Sequence, residues 1–124
     1  MSLTILKANL VVKIAIGLGI IVIGLIGYSL IDMHAHTVQH MREIAAFLDS
    51  KPTKTELVSH FGEPKNIFHS WTELPTKFRR GFLADVHTNC VFYFYTHEGM
   101  PYWYHIGAID IGSSTVISGV ATNY

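Results

Sequence analysis

The chain has 124 residues, enough for one domain, with nine Lys or Arg, nine Asp or Glu and eight His residues. Lys7 and Lys13 are the only charged side chains before Asp32, and from Asp32 onward seven basic and nine acidic residues give a net charge of −2. This mildly acidic part has no electrostatic basis for binding nucleic acid, and a single cysteine, Cys90, excludes an internal disulfide.

Residues 14–31 form an apolar run of 18 residues without a charged side chain. As a helix the run would span roughly 27 Å, close to the hydrocarbon thickness of a bilayer. It is longer than the apolar region of a typical signal peptide, and no A-x-A cleavage site follows it. The sequence therefore predicts an uncleaved transmembrane anchor, with Lys13 and Tyr28 near the two membrane surfaces.

The charges that flank this run predict its orientation. Lys7 and Lys13 precede the run, whereas only Arg42 is basic close to its other end. By the positive-inside rule, we expect a single-pass protein of the cytoplasmic (inner) membrane with its N-terminus in the cytoplasm. Residues 1–32 would form the tail and transmembrane helix, and residues 33–124 an extracytoplasmic or periplasmic domain.

Two helices are predicted beyond the membrane. Residues 33–50 carry apolar side chains at helical spacing, so a helix is expected to leave the membrane there. A second, short helix begins after Thr53, which forms a capping box with Glu56. Gly62 can close this helix in a positive-φ conformation, and Pro64 prevents its continuation.

The rest of the chain predicts an antiparallel sheet. Strands are expected at residues 66–74, 90–95, 102–111 and 115–121, and residues 72–88 contain a long connection. Short turns between the last three strands favour a meander of three or four strands. Two helices followed by such a sheet indicate an α+β domain of two layers, with the helices on one face.

Three features resemble the BamE/SmpA type of small envelope domain. They are the capped helix from Thr53, the "GEP" sequence at residues 62–64, and the closing hairpin "AIDIGSSTV" at residues 108–116. The resemblance covers roughly residues 40–124. It implies two helices packed on a three- or four-stranded sheet, as also in the repeat of β-lactamase inhibitor proteins, and a non-enzymatic role in binding or stabilising envelope proteins. Members of this family carry a lipidated cysteine where this chain has a transmembrane helix.

Aromatic side chains of the two central strands are the main candidates for a partner-binding surface. Helices can cover only one face of the sheet, yet large rings alternate onto both faces of "CVFYFY" and "PYWYHIG". We expect the face opposite the helices to bind a protein partner, because exposed Tyr and Trp are enriched at interfaces. The candidate anchors are Tyr93, Tyr95, Tyr102, Trp103 and Tyr104, and the alternative is that these rings cover one another within the fold.

Further candidates lie on the connection and on the helices. The basic side chains Lys77, Arg79 and Arg80 could contact lipid headgroups or an acidic partner, or remain solvated. His36, His40 and Glu43 share one helix face and could bind a metal, although a solvated face is the simpler interpretation. Small residues could let another transmembrane helix approach; they are Ala15, Gly17, Gly19, Gly24 and Gly27.

No arrangement of residues here is typical of catalysis. Cys90 follows His87 by three positions, but nothing around them is typical of a nucleophile and base, and a buried cysteine is the simpler interpretation. We therefore predict a non-enzymatic, membrane-anchored binding module without a cofactor or small-molecule substrate. It would be an accessory or assembly subunit whose partners are the lipid bilayer and another membrane or envelope protein. A membrane-anchored immunity or inhibitor protein is the first alternative, and a histidine-based metal or pH sensor the second.

Overall fold

A computed structural model describes residues 3–82 and 89–124 of the chain. It is an α+β protein with two helices, α1 (Leu3–Asp49) and α2 (Lys54–Phe61), and a sheet of four strands. The strands are β1 (Asn66–Phe68), β2 (Cys90–His97), β3 (Trp103–Asp110) and β4 (Thr115–Asn123), and one short 3-10 helix covers Thr76–Phe78. The predicted fold class is thus confirmed in its main features.

Helix α1 joins the apolar run and the helix predicted at residues 33–50 into one continuous element. Its 47 residues extend about 70 Å. No proline occurs in this segment to interrupt the helix. The most apolar 18-residue window is entirely uncovered by the rest of the protein. Thr37, Ile44 and Leu48, by contrast, are buried against the sheet. The same helix therefore has an uncovered apolar half and a half that belongs to the domain.

Helix α2 begins and ends where its sequence predicts. The Glu56 backbone N–H donates to the Thr53 hydroxyl over 3.1 Å, which caps the first turn. At the other end Gly62 adopts φ +79°, and its N–H donates to the Val58 carbonyl over 2.7 Å. Its φ and ψ (79°, −164°) lie in a region that residues with a Cβ rarely occupy, so glycine is the residue that allows this sharp exit from the helix.

The sheet is an antiparallel meander in the order β1-β2-β3-β4, as predicted. Strands β2 and β3 pair over their whole length, from Cys90 opposite Asp110 to His97 opposite Trp103. Strand β1 is shorter than predicted: it has three residues, and at Ser70 the chain turns away from the sheet. The Glu73 carboxylate accepts from the His69 N–H over 2.8 Å, which stabilises this turn.

Each face of the sheet carries its own hydrophobic cluster. The helix-face cluster lies beneath α1 and α2 and comprises Ile44, Leu48, Leu57, Tyr93, Tyr95, Trp103, Ile109 and Val116. The loop-face cluster lies on the other side and comprises Leu74, Phe78, Cys90, Phe92, Phe94, Tyr104, Ile106 and Ala108. Alternation of side chains along β2 and β3 explains this division.

Residues 70–82, here called the covering segment, pack over the loop-face cluster. The Phe78 ring lies 4.7 Å from Phe94 and 4.8 Å from Tyr104, and Trp71 and Phe82 approach Phe92 at 5.9 and 5.5 Å. The expectation that this face is open is therefore wrong. Helices and sheet form the two regular layers, and the covering segment adds an irregular third, because the rings of β2 and β3 are too apolar to remain in water.

Candidate functional site

The structure buries most of the rings that were predicted to anchor a partner. Tyr93, Tyr95 and Trp103 lie under the helices, and Tyr104 lies under the covering segment, each 7% exposed or less. Tyr102 differs, because it is 66% exposed. Of the five candidates, only Tyr102 is therefore available at the surface of the folded domain.

Tyr95 shows what the buried tyrosines do. Its hydroxyl donates to the Gly62 carbonyl over 3.0 Å, so it joins the sheet to the end of α2. Burial, followed by the nearby Tyr93 and Glu63, raises the pKa of Tyr95 to about 12. The ring is thus a neutral, hydrogen-bonded part of the core, and we assign it a structural role.

The predicted basic cluster divides into one structural and two surface residues. Arg79 donates from Nε to the Leu74 carbonyl over 2.9 Å and lies 5.5 Å above the Trp71 ring, so it holds the covering segment together. Lys77 and Arg80 are exposed, and neither forms an ion pair within residues 3–82 and 89–124. The Lys77 ammonium lies 4.9 Å from the centre of the Phe78 ring, and both charges are exposed to an anionic group.

Lys77 and Arg80 line a groove of about 680 Å³ between the covering segment and the end of the sheet. Its floor is aromatic, since Phe78, Tyr104 and Tyr124 also line it. The rings of Tyr104 and Tyr124 lie 5.1 Å apart. We call this feature the basic groove. Two exposed cations beside aromatic residues are chemically suited to a segment that carries both carboxylates and apolar side chains.

The basic groove lies at the end of the sheet that is nearest the apolar half of α1. Its wall includes Thr122 and Asn123, which pair with Tyr104 and Trp103 at the start of β3. The hairpin between β2 and β3 ends here, and the Met100 N–H donates to the Thr37 hydroxyl of α1 over 3.3 Å. The groove is therefore held at a fixed position along the helix, a short distance beyond the apolar run.

The predicted metal-binding face of α1 does not assemble into a site. His36 lies 3.5 Å from Asp32 on the exposed helix surface, and the Glu43 carboxylate accepts from Gln39 over 3.4 Å. Within the described ranges, no group of three or more His, Cys, Asp or Glu residues could hold a metal ion. His40 instead faces the sheet, where its ring lies 5.4 Å from Trp103.

A stack of four rings beside His40 was not predicted. Trp103, His97, His105 and Tyr95 alternate between β3 and β2, with successive ring centroids 3.9, 4.7 and 4.6 Å apart. We call them the ring stack. The strand register explains it, because His97 pairs with Trp103 and Tyr95 with His105. All four side chains therefore project from the helix-facing side of the sheet.

His105 is the most constrained member of the ring stack. It is fully buried; its Nδ1 shares a hydrogen bond with His97 Nε2, and its Nε2 has no partner among the described residues. Burial, reinforced by the neighbouring His97, His40 and His60, lowers the pKa of His105 from 6.5 to about 3. Burial and His40 also lower the pKa of His97. The stack is therefore neutral at pH 7, and its protonation opposes the packing of the folded domain.

The remaining candidates are placed as follows. Cys90 is buried, and burial followed by the nearby Asp110 raises the pKa of its thiol, which disfavours the thiolate that a nucleophile needs. His87 lies outside the described residues. A Cβ placed at Gly17, Gly19 or Gly24 would meet nothing within 4 Å, so this part of α1 is open to another helix. The packing role of these glycines and of Ala15 stays a prediction.

The chain was compared with families, curated proteins and solved structures. No family model, curated protein or solved structure matches it. The resemblance to BamE/SmpA domains therefore stays a prediction that rests on the capped helix, the "GEP" sequence and the closing hairpin. The function must be argued from the site itself.

Proposed function

We propose that this chain is a single-pass membrane protein whose α+β domain binds an acidic segment of another membrane protein in the basic groove. The apolar half of α1 supports the anchor, because a helix of this hydropathy that is uncovered by its own domain requires another apolar environment. The run is also longer than a signal peptide's apolar region and lacks an A-x-A cleavage site. In this proposal the domain is extracytoplasmic, as the lysines before the run favour.

The observation that carries the binding role is the pair of exposed cations, Lys77 and Arg80, which line the groove beside its aromatic residues and form no ion pair within the described residues. Carboxylates of a partner would satisfy these charges, and the exposed Tyr124 ring would contact its apolar side chains. The anchor restricts the domain to the membrane, which raises the local concentration of a membrane-bound partner. An accessory or assembly subunit of a membrane complex fits this arrangement.

Charge reversal at the groove tests the proposal. Full-length protein with an N-terminal affinity tag is extracted in mild detergent, and its stoichiometric partner is identified. In Lys77→Glu/Arg80→Glu, we expect at least about a tenfold loss of affinity for that partner, because two attractive contacts become repulsive. The matched control is Arg42→Glu/Lys65→Glu, which makes the same charge change at two other exposed positions.

The control variant is expected to retain the partner. Equal retention by both variants would exclude the groove as the binding site. A soluble toxin or enzyme as the partner would favour the alternative of a membrane-anchored immunity or inhibitor protein. If the full-length protein is removed from membranes by alkaline carbonate, the anchor is wrong.

The ring stack supports a second candidate, a sensor of acidic pH. A buried histidine with an unsatisfied ring nitrogen is an unfavourable feature unless it contributes something other than packing. Protonation of this cluster would disturb the contact of α1 and α2 with the sheet. Release of the partner between pH 7 and pH 5, absent in His105→Phe, would favour this candidate over a simple binding module.

A further inference from the structure

Three exposed apolar side chains of the domain lie together at one end of the sheet. Beyond Met33, six large hydrophobic side chains of the described residues are exposed: Ile67, Met100, Tyr102, Ile111, Ile117 and Tyr124. Three of the six lie together, because Met100 and Tyr102 belong to the turn between β2 and β3, and the Tyr124 N–H donates to the Tyr102 carbonyl over 3.4 Å. We call residues 98–102 the hairpin tip.

The hairpin tip is fixed to α1 at a known distance from the apolar run. Besides the hydrogen bond from Met100 to Thr37, a Cβ added at Gly99 would lie only 2.9 Å from the Thr37 hydroxyl, so the backbone packs closely on the helix. Thr37 is six residues beyond Ile31, which is about 9 Å along a continuous helix. The headgroup layer occupies roughly 5–8 Å on each side of the hydrocarbon core. The tip is therefore at the outer boundary of that layer.

The direction of the sheet places the rest of the domain farther away. Along α1, Thr37 contacts the hairpin tip and Leu48 contacts Gly107 and Gly119 in the middle of the strands. Strand β3 therefore runs away from the hairpin tip in roughly the same direction as α1 runs away from its apolar half. Ile111, at the far end of β3, is about 25 Å from the tip along the strand.

We propose that Met100 and Tyr102 insert into the headgroup layer of the bilayer that α1 spans. This inference rests on the proposed membrane anchor and adds a second point of contact.

The chemistry of the hairpin tip fits the membrane interface. Residues 99–102 contain no charged side chain, and tyrosine is enriched at this depth because one end of its ring is apolar and the other polar. Glu98, the first residue of the hairpin tip, directly follows β2 and is exposed, so the proposal requires its carboxylate to stay on the water side of the headgroup layer. Two contacts with the bilayer would orient the domain and hold the basic groove just above the headgroups, where the juxtamembrane segment of a partner emerges.

Spin-label depth measurements on the full chain in phospholipid nanodiscs test this proposal. In a Cys90→Ala background, single labels are placed by Tyr102→Cys, Ile111→Cys and Tyr28→Cys. Positions 102 and 111 are a matched pair, because both carry exposed apolar side chains at turns of the same sheet. At each position, the collision rate of the spin label with oxygen, which partitions into the bilayer, is divided by its collision rate with a water-soluble nickel chelate. Met100→Cys is the replacement if Tyr102→Cys fails to fold.

We expect the oxygen-to-nickel ratio at position 102 to exceed that at position 111 several-fold and to lie below that at position 28. Equal ratios at positions 102 and 111, with position 28 in the bilayer, would show that the tip is in water and overturn the inference while the anchor stands. A water-like ratio at position 28 as well would show that the anchor is wrong, and the inference would fall with it.

Discussion

Acidification should destabilise the domain through His105. The folded state holds its pKa at about 3, whereas in the unfolded chain the value would be near 6.5. Below pH 6.5 the unfolded state therefore binds a proton that the folded state refuses. Stability is constant above this pH and falls as the pH decreases from 6.5 toward 3. The neutral folded form is kept by burial and by the facing His97, His40 and His60.

The size of the effect follows from linkage. Because each pH unit between the two pKa values is worth about 1.4 kcal/mol, the free energy of unfolding should fall by about 2 kcal/mol between pH 8 and pH 5. Near pH 3 the loss would approach roughly 5 kcal/mol, but carboxylates titrate there too. His97, whose pKa is also lowered, acts in the same direction. The window from pH 8 to pH 5 therefore isolates the histidines.

Urea unfolding of the full chain in detergent micelles, followed by near-ultraviolet circular dichroism, measures this loss. The stacked Trp103 and Tyr95 rings give a signal that reports on the packing of the sheet. His105→Phe keeps a ring in the stack but cannot be protonated, so most of the pH dependence should disappear. His69→Gln removes an exposed histidine and should leave the dependence unchanged. The same slope in wild type and His105→Phe would refute the reasoning.

Three further predictions concern the backbone and the topology. Gly62→Ala should lower the free energy of unfolding by about 1–3 kcal/mol through backbone strain alone, because φ is +79° and nothing lies within 4 Å of the new Cβ; an unchanged urea midpoint would contradict this. Gly119→Ala should lower the free energy of unfolding by about 1–3 kcal/mol, because its Cβ would lie 2.6 Å from Leu48. Gly112→Ala, whose Cβ would have its nearest neighbour at 3.8 Å, should leave the free energy of unfolding unchanged in the same titration. A phosphatase reporter after Tyr124 should be active outside the cytoplasm, and activity of a cytoplasmic reporter alone would reverse the topology.

The elements with local signals were predictable from the sequence. A capping box and a terminal glycine define α2 within ten residues of chain, and alternation with short turns defines β2 to β4. A helix is expected at residues 33–50 from its apolar spacing, and the structure joins it to the apolar run as one element. Strand β1 was predicted too long, because "NIFHSWTEL" is apolar enough for a strand. Its second half instead turns at Ser70 and joins the covering segment.

The candidate site was less predictable because it depends on long-range packing. The covering segment contains Pro75 and no regular period, so nothing in its sequence indicates that Phe78 crosses the sheet to meet Phe94 and Tyr104. The ring stack depends on which residues pair across β2 and β3, and a shift of one residue would send His105 to the other face. Of the groove residues, Lys77, Arg80 and Tyr104 could be identified in advance, and the division of the basic cluster into structural Arg79 and exposed Arg80 requires the structure.

The continuity of α1 also relates the surface of its apolar half to the domain. At 3.6 residues per turn, Ala15, Gly19, Thr37 and Ile44 fall within about 40° of one another on the helix, and the last two pack on the domain. The Ala15 and Gly19 face therefore lies directly below the sheet, whereas Gly24 is on the opposite side. A partner helix that packs on this face would emerge beside the hairpin tip and below the basic groove.

We therefore expect Gly19→Ile to release the partner, because the added side chain prevents close approach of a second helix. Gly24→Ile adds the same volume on the opposite face and should retain the partner in the same detergent co-purification. Release by both variants, or by Gly24→Ile alone, would show that the partner does not approach from beneath the domain.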